Sequence, residues 1–135
     1  MRAILDTNVL VSGILFGGIP RKILECAQRR TFTMVITHDI LSEYYEVIER
    51  VSKEYNVKRA SSVLESIISK AELSFSITLH EPVCIDPDDD IFFAAAKAAK
   101  VKIIVSGDKH LKAASGWSGV KVISPATFYK LISKR

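Results

Sequence analysis

Cysteine, histidine and long apolar runs are all scarce in this sequence, and each scarcity removes a class of explanation. The two cysteines, Cys26 and Cys84, lie in apolar surroundings without C-x-x-C spacing. They are read as buried, reduced thiols rather than a disulfide or a metal pair. The three histidines, His38, His80 and His110, form no H-E-x-x-H or similar pattern, so zinc is not expected. No Ser-His-Asp or Cys-His arrangement offers a covalent route. No stretch approaches the roughly 20 apolar residues of a membrane span. The opening run Met1-Arg2-Ala3-Ile4-Leu5 meets Asp6 too soon for a signal peptide. A cytoplasmic protein with no membrane partner is therefore the expectation. No repeat, low-complexity tract or linker breaks the 135 residues, a length that suits one domain over 1–135.

What is present is an ordinary globular balance, nearly half apolar and a quarter charged. The net charge of +4 and pI near 9.1 lean mildly toward a polyanionic partner. Distribution carries more weight than the total. Basic residues gather at Arg21-Lys22, Arg29-Arg30, Lys58-Arg59, Lys97 to Lys102 and Lys109 to Lys112, whereas acids are densest between Asp86 and Asp90. A basic rim around an acidic pit would suit a metal-dependent nuclease.

Short apolar strands alternate with amphipathic helices, the pattern of an α/β domain with a mainly parallel sheet. Arg2 to Leu5 reads as a strand, followed by Asp6-Thr7-Asn8 and a loop through Gly17-Gly18. Pro20 opens a helix to about Arg30, and Phe32 to Ile36 is the second strand. Thr37 caps a helix with Ile40, Leu41, Tyr44, Val47, Ile48 and Val51 at helical spacing. A second long helix carries Ala60, Val63, Leu64, Ile67, Ile68 and Ala71, so the two make a helical hairpin at about 38–73. Phe75 to Leu79 reads equally as a short strand or an extended connection. Asp86-Pro87 starts an alanine-rich helix, Lys102 to Val105 is a buried strand, and a short helix spans Lys109 to Ala113. Val120 to Ile123 is the last strand, and Ser124-Pro125 caps a terminal helix.

Ligands of open parallel sheets bind beyond the carboxyl ends of the strands, and Asp6 and Asp108 follow two such ends. A single aspartate there is ordinarily a turn former or helix cap; two on different strands weaken that reading. On the wheel of its helix Glu43 lies at the margin of the apolar stripe, beside Ile40 and Val47, where it can reach toward the end of the sheet. Its ordinary reading is a solvated first-turn glutamate. Asp86, Asp88, Asp89 and Asp90 exceed what a helix dipole explains, since like charges raise one another's pKa. A divalent cation would relieve the repulsion, and carboxylate ligands favour Mg²⁺ or Mn²⁺.

The ordered set Asp6-Thr7-Asn8, Glu43, Asp86-Pro87-Asp88-Asp89-Asp90-Ile91-Phe92-Phe93-Ala94-Ala95-Ala96, Val105-Ser106-Gly107-Asp108-Lys109 and Ser124-Pro125-Ala126-Thr127-Phe128 resembles the PIN domain. It is most similar to the branch of toxins from toxin–antitoxin pairs. The resemblance implies a three-layer α/β/α sandwich and a ribonuclease using Mg²⁺ or Mn²⁺. It implies catalytic acids at Asp6, Glu43, Asp89 and Asp108, with metal held by Asp6, Asp89 and Asp108. Matching the small residue Ala96 places the fourth acid at Asp89, while direct spacing to Asp108 also permits Asp90. Asn8 and Ser106 match positions that orient acids or water around the metal. Lys109, Lys112 and Arg21 are candidates to hold RNA phosphates, against an ordinary role as solvated surface charges. An antitoxin partner and a homodimer follow from the same likeness. A PIN fold that binds RNA or protein without cutting is the alternative. A dehalogenase-like phosphatase would need an aspartate where Asn8 stands, and a receiver domain an aspartate where the second strand ends in Thr37.

Overall fold

The computed structural model describes residues 1–134. Its strands are β1 (Arg2–Leu5), β2 (Thr33–Ile36), β3 (Glu72–Leu73), β4 (Ile103–Val105) and β5 (Lys121–Ile123). The helices are α1 (Thr7–Leu15), α2 (Gly18–Gln28), α3 (His38–Tyr55), α4 (Ala60–Ile68), α5 (Asp90–Ala99), α6 (Lys109–Ala113) and α7 (Pro125–Ser133). One sheet runs β3-β2-β1-β4-β5, and every neighbouring pair is parallel. The chain travels outward from β1 to β3, then returns to lay β4 on the other side of β1. Right-handed crossovers in opposite directions put helices on both faces. Accordingly α1, α2 and α4 contact one another and α7 packs on α2, while α5 and α6 pack on β4 and β5 respectively. The three-layer α/β/α sandwich expected from the sequence is what forms, with a wholly parallel sheet.

The strand order reverses between β1 and β4, where Ile4 pairs with Ile104 and Leu5 with Val105. That is the switch point at which such sheets open a crevice for ligands. Both strands end in fully buried apolar residues, so whatever follows them is held by the core.

Three elements differ from the sequence expectation. The stretch after Asp6 is not a loop but helix α1. Val9, Leu10, Val11, Gly13 and Ile14 are all buried, so α1 lacks the polar face that marks a surface helix. Its β-branched residues and Gly13 also lower helix propensity. Gly13 is required by packing: a Cβ there would lie 2.5 Å from Leu24 Cδ1 and 2.9 Å from the Pro20 carbonyl oxygen. The helix after Ala60 stops at Ile68, and the chain joins the sheet edge at Glu72–Leu73 rather than at Phe75 to Leu79. Asp86 caps a 3-10 turn, Pro87–Asp89, and α5 proper begins at Asp90.

Thr37 caps α3 as expected, its hydroxyl accepting from the Ile40 N–H. Ser124 does the same for α7 through Thr127. On α3 and α4 the apolar stripes are spent on the core, since Ile40, Tyr44, Ile48, Leu64 and Ile67 are buried. Cys26 and Cys84 are both free thiols; Cys84 is buried and Cys26 partly so.

Candidate active site

Asp6 leaves β1 at the switch point and is 5% exposed. Its backbone N–H donates to the Val105 carbonyl at 3.0 Å, locking it to the end of β4. The buried Ser106 hydroxyl donates to Asp6 Oδ2 at 2.7 Å and accepts from the Asp108 N–H at 2.9 Å. One side chain thus clasps the two strand-end acids. Asp108 caps α6, its Oδ1 accepting from the His110 and Leu111 N–H groups at 2.7 and 3.3 Å. The cap reading and the site reading of Asp108 are therefore compatible, because capping occupies one oxygen only.

Helix α3 closes a second side. Tyr44, fully buried, donates its hydroxyl to the Leu5 carbonyl, and Thr7 Oγ1 donates to Glu43 Oε2. Two consecutive residues of α3 are thereby tied to the end of β1 and the start of α1, and Glu43 is turned toward the acids, as its wheel position predicts.

The acidic run divides its labour. Asp86 accepts from the Asp88 N–H at 3.0 Å and shapes the turn. Asp90 accepts from the Val83 and Cys84 N–H groups, the latter at 2.7 Å, and pins the preceding loop to α5. Asp88 is exposed. Asp89 is the member whose charge feels the others: burial first, then Asp108, Asp86, Asp6 and Glu43, push its pKa up from 3.8 to about 6. Burial likewise raises Asp6, with Asp108 and Glu43 adding to the shift while the Ser106 hydroxyl and the Asn8 N–H oppose it. Burial, followed by Asp6 and Glu43, raises the Tyr44 phenol well above its usual value. Burial also pushes the Cys84 thiol up to about 12, helped by Asp90, Asp89 and Asp108; a thiol so disfavoured as thiolate is no nucleophile.

Asp6, Glu43, Asp89 and Asp108 thus share one electrostatic neighbourhood. The donor set is all oxygen, which suits a hard divalent cation. Among the described residues no group of three or more His, Cys, Asp and Glu side chains is preassembled to hold an ion directly. Mg²⁺ asks for less than that, since it is ordinarily held by one or two carboxylates and keeps several waters.

The remaining candidates lie around this pit with different commitments. Asn8 is exposed on the first turn of α1. Lys109 and Lys112 are exposed on α6, directly after Asp108. Arg21 stands at the other end of α1, donating Nε to the Gly13 carbonyl and Nη2 to that of Ile14 at 2.9 and 3.0 Å. A groove of about 540 Å³ beside the pit is lined by Asp39, Glu43, Glu46 and Asp88, with Arg50 its only cation among the described residues. The sequence marked Thr7 only as part of the Asp6-Thr7-Asn8 motif and Tyr44 only as a member of an apolar stripe. The available signal was that a buried phenol at the centre of a stripe needs a partner for its hydroxyl.

A doubly wound α/β sheet with four acids at its switch point defines the class. The family model for the PIN domain matches residues 2–110, and the chain belongs to the PIN-domain family. The fold is similar to the crystal structure of PAE2754 from Pyrobaculum aerophilum, with TM-score 0.73 and 15% identity, covering 100% of this chain and 91% of that one. It is also similar to VapBC2 from Rickettsia felis bound to a DNA fragment from their promoter, with TM-score 0.65 and 17% identity, covering 92% of this chain and 98% of that one. No curated protein matches the chain in sequence.

Proposed function

We propose that this protein is an endoribonuclease that hydrolyses RNA phosphodiester bonds with Mg²⁺ or Mn²⁺ held by Asp6, Asp89 and Asp108. The observation that carries the reading is the Ser106 clasp, which holds Asp6 and Asp108 together at the β1/β4 crevice of a PIN domain. PIN domains are in general nucleases that use divalent metals. A bound ion of this kind activates water and stabilises charge on the scissile phosphate.

The protein's own groups divide the remaining tasks. Asp6 and Asp108 are the anchors that the sheet positions, and Asp89 completes the set from the turn. Asp90 is the poorer ligand candidate, because its carboxylate is engaged by two backbone N–H groups. Glu43, which accepts from the Thr7 hydroxyl, takes a proton from the attacking water in this reading. Ser106 orients Asp6, and Asn8 at the rim is assigned to the surrounding water. Flanking phosphates are held by Lys109 and Lys112, since the groove on the α3 side is walled mainly by acids and would repel RNA. Arg21 contributes more distantly, with two of its donors spent on α1 carbonyls.

The likeness to VapBC2 supports a toxin held in check by an antitoxin protein, acting in the cytoplasm where its RNA would be found. No helix among the described residues is long and apolar enough to cross a membrane. The decisive experiment is Mn²⁺-dependent cleavage of single-stranded RNA by the wild type and by Asp6→Asn. Loss of cleavage in the variant supports the reading, and equal activity overturns it in favour of a PIN fold that binds without cutting.

A further inference from the structure

At the free edge of the sheet the chain leaves β3 and runs from Ser74 to Leu79 without helix, turn or bend. The Ser74 N–H still donates to the Ile36 carbonyl at 2.8 Å, extending the β3 pairing by one bond. Among the described residues, no hydrogen bond engages the backbone N–H groups of residues 75 to 81. Apolar side chains alternate along this stretch and face solvent: Leu73 is 69% exposed, Phe75 89% and Ile77 40%. Cavities of about 230 and 510 Å³, both lined by Ile77 and Leu79, leave the segment standing off α5. Natural edges are ordinarily blunted by lysine, proline or inward charge. None occurs between Leu73 and Leu79.

The order of residues names the occupant. Leu73-Ser74-Phe75-Ser76-Ile77-Thr78-Leu79 is symmetric in character about Ser76, reading the same in either direction as leucine, hydroxyl, large apolar, serine. We infer that this edge pairs with a second copy of the chain, antiparallel, about a two-fold axis through Ser76. In that register Leu73 lies opposite Leu79 of the second copy, Phe75 opposite Ile77, and Ser74 opposite Thr78. Directly opposed residues share a face, so one face becomes an apolar ladder with aromatic–β-branched pairs and the other a ladder of hydroxyls. Just outside, Glu72 meets His80 of the second copy, a carboxylate against a hydrogen-bond donor; Glu72 also bridges to Arg2 within its own chain. A slip of one residue sets every apolar side chain against a polar one, a hydroxyl in three cases of four and Glu72 or His80 in the other, and loses the match. A foreign strand has no reason to need this symmetry, whereas an isologous contact requires it.

The inference is independent of the nuclease reading, and the variants that test it lie outside the acid site. Sedimentation of the full chain over a range of concentrations should show mass rising to twice the monomer, and Ile77→Lys should remain monomeric with unchanged circular dichroism. Register is tested with single cysteines. Opposed Cα atoms in an antiparallel pair stand about 5 Å apart, within disulfide reach. Ser76→Cys should therefore form a covalent dimer on mild oxidation. Ser74→Cys, whose copies lie about 13 Å apart along the ladder, should not, and neither should the wild type. A monomer at every concentration would leave the edge to a foreign strand and overturn the proposal. Dimers that survive Ile77→Lys, or equal cross-linking at 74 and 76, overturn it as well.

Discussion

The two halves of the acid site are built by different means. Asp6 and Asp108 emerge from buried parallel strands, are tied to the sheet by the Asp6 N–H to Val105 bond, and are clasped by Ser106. Asp89 sits on a 3-10 turn capped by Asp86 and held to the preceding loop by Asp90, which grips Val83 and Cys84. The first half is rigid because the core has no alternative packing. The second is positioned by a few hydrogen bonds at the surface. Chemistry that needs accuracy would rest on the sheet half, and admission of a cation could rest on the turn.

Substitutions should separate the halves. The largest effect is expected for Asp6→Asn, which should lower RNA cleavage by about 1,000-fold, on the order of 4 kcal/mol of transition-state stabilisation. The same change removes a buried charge whose pKa is raised, so the metal-free variant should melt at a higher temperature than the wild type. Ser106→Ala frees both strand-end acids without removing either. A 10- to 100-fold loss in metal affinity or activity is typical of such supports, and isothermal titration with Mn²⁺ alongside the cleavage assay would measure it. Asp90→Ala leaves two N–H groups of the loop unpartnered and should cost about 1–3 kcal/mol by denaturant melts, with amide exchange quickened first at Val83 and Cys84. Slowed cleavage in Asp90→Ala at saturating Mn²⁺ would erase the distinction between a chemical half and an admitting half.

The smallest expected effect is on pH dependence. Asp89 titrates at about 6 against an ordinary 3.8, and Asp6 is raised in the same direction. The folded protein therefore binds more protons than the unfolded chain in that window. Stability of the metal-free protein should fall as pH rises from about 4 to 6 and level off above it. Asp89 is partly exposed, so solvent screening keeps the change modest. Melting curves across this range, with and without Mg²⁺, would test it: the slope should be shallower in Asp89→Asn, and added Mg²⁺ should offset it.

Much of this was legible in the chain because it rests on local rules. Asp6 and Asp108 followed from the rule that sheet ligands sit at carboxyl ends, and Glu43 from its place on a wheel. The cap residues Thr37 and Ser124 were recognisable from their chemistry, and Asp86 in part, though it caps a 3-10 turn. What escaped was non-local. Helix α1 lacks a polar face because it is buried, which single-sequence periodicity cannot distinguish from a loop of apolar residues. Asp89 and Asp90 are neighbours of the same type, and only the partners of Asp90 tell them apart. Arg21 carries the same charge as Lys109, yet its guanidinium lies against α1 carbonyls that no spacing argument could foresee.

By itself the sequence determined the alternation of strands and helices, the α/β class with a mainly parallel sheet and the acids that follow the strands, because periodicity and strand ends are local properties; the three-layer sandwich was implied by the family resemblance. The tertiary structure decided which acids meet. A single serine hydroxyl reaches Asp6, 100 positions earlier in the chain, while holding Asp108, and that contact exists only because parallel pairing lays β4 beside β1.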